Sequence, residues 1–201
     1  MRRVVKIGGS LLSRIDLQQD ITGWFDRQTP AENIVIVGGG DLIEAVRQWD
    51  AIRPGEPSDV HWRCIDLLST TYAMMGDWFP GWPQVGSAEV FDRCVDFGFS
   101  SSHPTLVRVA AFYNPASLSC SPSKKSLPLD WRTTTDSIAV LLGNLSKADE
   151  VVLLKSCEVD ASLNSLQLIA SGIIDEAVPT IEQQFQTLRV ERLVQSNPNA
   201  I

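Results

Sequence analysis

Lysine is scarce in this chain, and two of its five copies, Lys6 and Lys155, end or adjoin apolar runs that read as buried strands. An ammonium placed there loses hydration, so it needs an anion beside it, from the protein or from a ligand. Lys6 opens the run Lys6-Ile7-Gly8-Gly9-Ser10. Glycines without Cβ atoms let backbone N–H groups close on phosphate oxygens at the start of a helix, where a lysine two residues upstream reaches the same oxygens. The alternative is a tight strand-to-helix turn whose lysine simply extends to solvent. A second turn, Gly38-Gly39-Gly40-Asp41, follows the next apolar run. Three consecutive glycines lose much backbone entropy on folding, so something must approach that backbone. Ile43 stands where G-x-G-x-x-G needs its last glycine and no G-K-[ST] follows, so neither common nucleotide fingerprint is present.

Two further constellations lie later in the chain. Thr133-Thr134-Thr135-Asp136 precedes a strongly apolar stretch. These residues either cap a helix, with Asp136 favoured by its dipole, or place a partly buried carboxylate where it can order nearby lysines. Val151 to Leu154 is an apolar strand ending in Lys155-Ser156, with the lysine either functional or reaching past the sheet edge. His61, beside Trp62 on an expected helix, is either a packed histidine or an acceptor ligand. His103 reads as exposed, and Lys124-Lys125 as a solvated loop pair or part of a lid.

The elements that must position these residues alternate. Strands are expected at Arg3 to Ile7, Ile34 to Val37, Leu106 to Phe112, Glu150 to Leu154 and Leu188 to Val194. Helices are expected from Leu11 to Phe25, from Asp41 to Ile52 with Leu42, Val46 and Trp49 on one face, from Ser58 or Asp59 to about Met75, from Thr135 to Leu145, and from Thr180 to Gln186. Gly76 to Gly86 and Asn114 to Leu129 read as loops, while Ala88 to Phe97 and Val159 to Ala170 stay open between types. This alternation predicts an α/β fold, a three-layer αβα sandwich with a mostly parallel sheet, formed by one domain over 1–201. Ligands gather at the carboxyl ends of such strands, where the Gly-Gly-Ser, Gly-Gly-Gly and Lys-Ser endings converge.

Composition narrows the partners. The net charge of −7 disfavours nucleic acid and anionic membrane surfaces. No stretch approaches the 18 or so apolar residues of a membrane span, and Lys6 and the following glycines interrupt any signal-like apolar run, so a cytoplasmic location is expected. Cys64, Cys94, Cys120 and Cys157 are widely spaced with no C-x-x-C, which points to reduced thiols and no zinc site.

In order and over most of the chain, the four constellations resemble the amino acid kinase family, the aspartate, glutamate and uridylate kinase-like enzymes. That family carries a K-x-G-G-S opening, a second glycine-rich turn, an aspartate just inside a later helix, and a strand like that at Glu150 to Leu154. His61-Trp62, Leu127-Pro128 through Trp131, Thr135 to Ala139 and Leu154-Lys155-Ser156 look most like the subgroup with the archaeal aminomethyl-furanmethyl phosphate kinase of methanofuran biosynthesis. The resemblance implies a carbamate kinase-like fold and ATP and Mg²⁺ as cofactors. It implies Lys6, Asp136 and Lys155 as catalytic residues, Gly8, Gly9 and Ser10 on the β- and γ-phosphates, and Gly38, Gly39, Gly40 and His61 toward a small anionic acceptor. It also implies a homo-oligomer and no protein ligands to the metal. One departure stands out: where many members carry a late lysine in a G-M-x-x-K segment, this chain reads Ser171-Gly172-Ile173-Ile174-Asp175-Glu176-Ala177. Either Lys155 substitutes for it, or the protein binds without turnover. An acceptor carboxylate or carbamate is the remaining alternative to a phosphomonoester.

Overall fold

The computed structural model describes residues 1–116, 127–181 and 185–195. Six segments form one sheet: β1 Arg2–Ile7, β2 Glu32–Val37, β3 Gln84–Val85, β4 Thr105–Val107, β5 Glu150–Lys155 and β6 Thr187–Arg192. Their spatial order is β3-β4-β2-β1-β5-β6, with every neighbouring pair parallel. Between them run α1 Leu17–Asp26, α2 Asp41–Ile52, α3 Pro57–Trp78, α4 Ala88–Phe97, α5 Thr135–Leu145 and α6 Ser165–Ala170. The near-continuous aliphatic runs of β1, β2 and β5 follow from burial on both faces, since parallel strands carry helices above and below.

Alternation sorts the strand residues into two apolar clusters. Val4, Ile34, Ile36, Val151 and Leu153 pack with Ile138, Leu142, Ile65 and Phe91 of α5, α3 and α4. Val5, Ile7, Val35, Val37, Val152 and Leu154 pack with Leu17, Ile21 and Trp24 of α1 and with Met75. The result is the expected three-layer αβα arrangement. The chain runs from β1 outward through β2 and returns on the other side of β1 as β5, which opens a crevice at the carboxyl ends of β1, β2 and β5.

Several boundaries differ from expectation. The helix expected from Leu11 begins only at Leu17. Residues Gly9–Leu11 form a 3₁₀ turn that buries Leu11, and Ile15, inside the expected helix, is fully in solvent. The strand expected over Leu106 to Phe112 ends at Val107 and turns into a 3₁₀ segment at Val109–Ala111. The Gly76 to Gly86 loop contains β3, a two-residue strand too short for any periodicity to show. Ala88–Phe97 is helical, with the Ser87 side chain accepting from Val90 N–H as N-cap, and Asn164 with Gln167 makes a capping box for α6. Around Thr180 the described chain is 3₁₀ and bend rather than α-helix, and 182–184 lie outside the described residues. Most of the Asn114 to Leu129 loop, with Lys124, Lys125 and Cys120, also lies outside them. Cys64, Cys94 and Cys157 are free thiols. Among the described residues, no helix is long and apolar enough to cross a membrane.

Candidate active site

The strand period of two explains how two lysines distant in sequence meet. Lys6 follows Val4 on the sheet face covered by α5, and Lys6 pairs in register with Leu153, so Lys155 projects from the same face one step further on. The first turn of α5 stands over that position. Asp136 Oδ2 accepts from Lys155 Nζ at 2.5 Å, and Oδ1 lies 2.9 Å from Lys6 Nζ, close but without hydrogen-bond angles. All three groups are largely buried. Burial alone would raise the Asp136 carboxyl, but the two ammonium groups outweigh it and hold Asp136 below the usual range. Lys155 is lowered by burial and by Lys6, against the opposing pull of Asp136 and Asp175. The sequence-expected triad of Lys6, Asp136 and Lys155 is therefore one ion cluster.

The glycine turns meet as well. A Cβ on Gly9 would lie 2.1 Å from the Gly40 nitrogen, and one on Gly38 would lie 2.7 Å from the Gly9 nitrogen. Gly40 also takes a positive φ of 54°. What approaches each glycine turn, then, is first of all the other one. Gly8 N–H donates to Leu154 O and Gly38 N–H to Ile7 O, which fastens the turns to the strand ends. Among the described residues, no group accepts from the N–H of Gly9, Ser10, Gly39 or Gly40. Gly39 is buried, Gly9 and Gly40 are half-buried and Ser10 is exposed, and a row of free N–H donors at two helix starts suits an oxyanion. Ser10 Oγ and Ser156 Oγ lie 2.8 Å apart, joining the β1 turn to the end of β5.

A cavity of about 210 Å³ opens on the β2 side of this turn. Gly9, Ser10 and Gly38 to Gly40 form one end of it, and Ile43, Val60, Ile65, Leu68 and Ile138 supply aliphatic walls. His61 and Cys64 also line it. Lys6, Asp136 and Lys155 do not; sheet order puts Lys155 and Ser156 on the β5 side of Gly8–Ser10. Two subsites thus flank the β1 glycine turn. His61 is buried, with Nε2 2.9 Å from the Tyr113 hydroxyl, and the Asp130 backbone also hydrogen-bonds it. Burial lowers its pKa, so it forms a neutral, packed wall.

Sequence reasoning did not find three contributors. Tyr113 is fully buried behind His61. Trp131 sits at the cavity rim, its Nε1–H donating to Asp50 at 2.7 Å and the Arg47 guanidinium 4.3 Å from its ring. Asp175 occupies the segment where a cation was sought, and there it accepts hydrogen bonds from the start of α5. Trp131 alone carried a prior signal, as part of the Leu127 to Trp131 resemblance. The other two sit in irregular segments without periodicity.

The all-parallel sheet and its strand order match the amino acid kinase fold of solved UMP kinases. Solved structures share it at low identity: a UMP kinase from Bacillus anthracis (12% identity, TM-score 0.63, covering 98% of this chain and 88% of that one), one from Ureaplasma parvum (11%, 0.55, 90% and 83%) and a uridylate kinase from Archaeoglobus fulgidus (14%, 0.54, 90% and 84%). No protein-family model and no curated protein sequence matches the chain.

Proposed function

We propose that this chain is an ATP-dependent phosphotransferase that moves a γ-phosphoryl group to a small anionic acceptor seated in the cavity beside Gly9. The observation that carries this reading is the Lys6–Asp136–Lys155 cluster at the ends of adjacent strands, next to N–H groups that nothing in the described protein accepts. Two buried ammonium groups and free N–H donors fit a triphosphate. MgATP would supply the phosphoryl group, which leaves the β–γ bridging oxygen with ADP as an acceptor oxygen forms the new bond. The Mg²⁺ would arrive with the nucleotide phosphates and offset their charge.

The protein's own part is positioning and charge. The Gly9 and Ser10 N–H groups orient phosphate oxygens, Lys6 and Lys155 neutralise charge that builds up in transfer, and Asp136 fixes both lysines. Gly38 to Gly40 face the acceptor. An acceptor that is already an anion needs no general base. The aliphatic walls favour an acceptor with an apolar part, and this reading takes a phosphomonoester that becomes a diphosphate as the acceptor class. The resemblance of His61-Trp62, Leu127 to Trp131 and Leu154 to Ser156 to the methanofuran-pathway subgroup is what supports a place in one-carbon cofactor biosynthesis. A homo-oligomer is supported by α2: no residue of this helix is buried, and Leu42, Trp49 (68% exposed) and Ile52 (76%) form an apolar stripe.

One observation favours a second reading, a silent ligand-binding protein. Lys155 is already paired at 2.5 Å, and the late segment supplies Asp175 instead of a cation. Phosphorus NMR of the protein with MgATP and a panel of phosphomonoesters and carboxylates separates the cases. A diphosphate signal with ADP is the expected result; turnover of carboxylates alone would replace the acceptor class, and binding without any turnover would favour the silent protein.

A further inference from the structure

Asp175 is the charged group closest in character to the catalytic cluster that the mechanism above leaves unused. It lies in the turn after α6, between Ile174 and the pair Ala177 and Val178, all three buried in the core that α5 shares. These anchors leave its carboxylate facing the start of α5. There Oδ2 accepts from Thr134 N–H at 2.9 Å, Thr134 Oγ1 at 2.7 Å, Ser137 N–H at 3.0 Å and Ser137 Oγ at 3.0 Å. Oδ1 accepts from Ala177 and Val178 N–H at 3.1 Å each. A helix leaves its first N–H groups unaccepted, and here a residue about forty positions downstream caps two of them.

From this arrangement we infer that Asp175 is a positioning residue, one that locks the first turn of α5 so that Asp136 stays between Lys6 and Lys155. The link is continuous: the Thr134 hydroxyl donates to Asp175 and accepts from the backbone N–H of Asp136 at 3.3 Å. Losing that turn would let the Asp136 side chain leave one lysine. Asp175 also faces the cluster electrostatically. Its own carboxyl is raised by burial and by Asp136, and its charge favours the ammonium form of Lys155. The charged groups around Lys155 are Lys6, Asp136 and Asp175; Arg192, in register with it on β6, is paired with Glu158. Two lysines therefore stand against two carboxylates, and the late segment contributes order where a third cation would have contributed charge. This inference rests on the phosphotransferase reading only for its catalytic meaning.

Labelling lysine at Cε gives five signals at most, so the pH titration of Lys155 can be followed in the whole protein. In Asp175→Asn the Lys155 midpoint should fall below that of the parent. An unchanged midpoint would make Asp175 a helix cap and nothing more, and would overturn the inference. If Asp175→Asn does not fold, Thr134→Val keeps Asp175 and cuts only the hydroxyl link; it should move Lys155 the same way by less, and no movement again overturns the idea. MgATP stabilisation of the same samples separates the two claims, because a parent protein indifferent to MgATP removes the phosphotransferase reading and leaves the lysine result standing.

Discussion

The two ends of the same strands carry charge in opposite ways. Where β1 begins, the Arg3 guanidinium is only 2% exposed, and the protein meets its donors: Glu150 at 2.5 Å, Asn33 Oδ1 at 3.1 Å, and the carbonyl and hydroxyl of Thr29 at 3.3 and 3.0 Å. The Arg2 guanidinium is matched in the same manner by Glu32 and the Ser146 carbonyl, and its backbone N–H donates to Asp149. Where β1 ends, Lys6 and Lys155 bring three donors each to one carboxylate, beside glycine N–H groups that have no acceptor among the described residues. Buried charge that the protein satisfies completely serves the fold. Buried charge left with spare donors beside a cavity is suited to a ligand.

That contrast can be broken by mutation. Arg3→Met should lose about 3–5 kcal/mol of stability, because Glu150 would stay buried without its main partner; denaturant unfolding measures it, and activity per folded molecule should not change. Lys6→Met should do the reverse, lowering turnover by about 10²–10³-fold while stability stays within about 1 kcal/mol, since Asp136 keeps Lys155. Equal loss of stability in both variants would erase the distinction. Trp49→Glu places a charge in the exposed stripe of α2 and should convert an oligomer to monomer in size-exclusion chromatography with light scattering, without unfolding the chain.

The smallest expected effect concerns His61. Its folded pKa lies below the ordinary 6.5, so its contribution to stability is complete above that value and is lost as pH falls through the depressed one. Between about pH 7 and about pH 5 the parent should therefore lose melting temperature relative to His61→Gln. Parallel curves would show that His61 is not held neutral.

The sequence made some of this plain and hid the rest for physical reasons. β1, β2 and β5 were legible because strands buried on both faces become unbroken aliphatic runs, and each ends at a glycine or lysine that interrupts the run. α2 matched its expected limits, yet on its expected apolar face Leu42 and Trp49 are exposed and only Val46 is half-buried: amphipathicity marks an apolar stripe without saying whether the same chain buries it. The glycine turns were read as ligand cradles or crowded turns, and their contact with each other needs the register of β1 against β2 to become visible. Asp175 carried no signal. A carboxylate that caps a helix from a distant loop follows no local spacing, and the same position looked like the mere absence of a lysine.

The account's central claim is that the cluster at the end of β1 receives the phosphates of ATP, and thermal unfolding with and without MgATP tests it most directly. At about one hundred times the dissociation constant, MgATP should stabilise the parent by about 2.7 kcal/mol. That shift should largely disappear in Lys6→Met and persist in Arg3→Met. An equal shift in parent and Lys6→Met, or none in the parent, would contradict the claim.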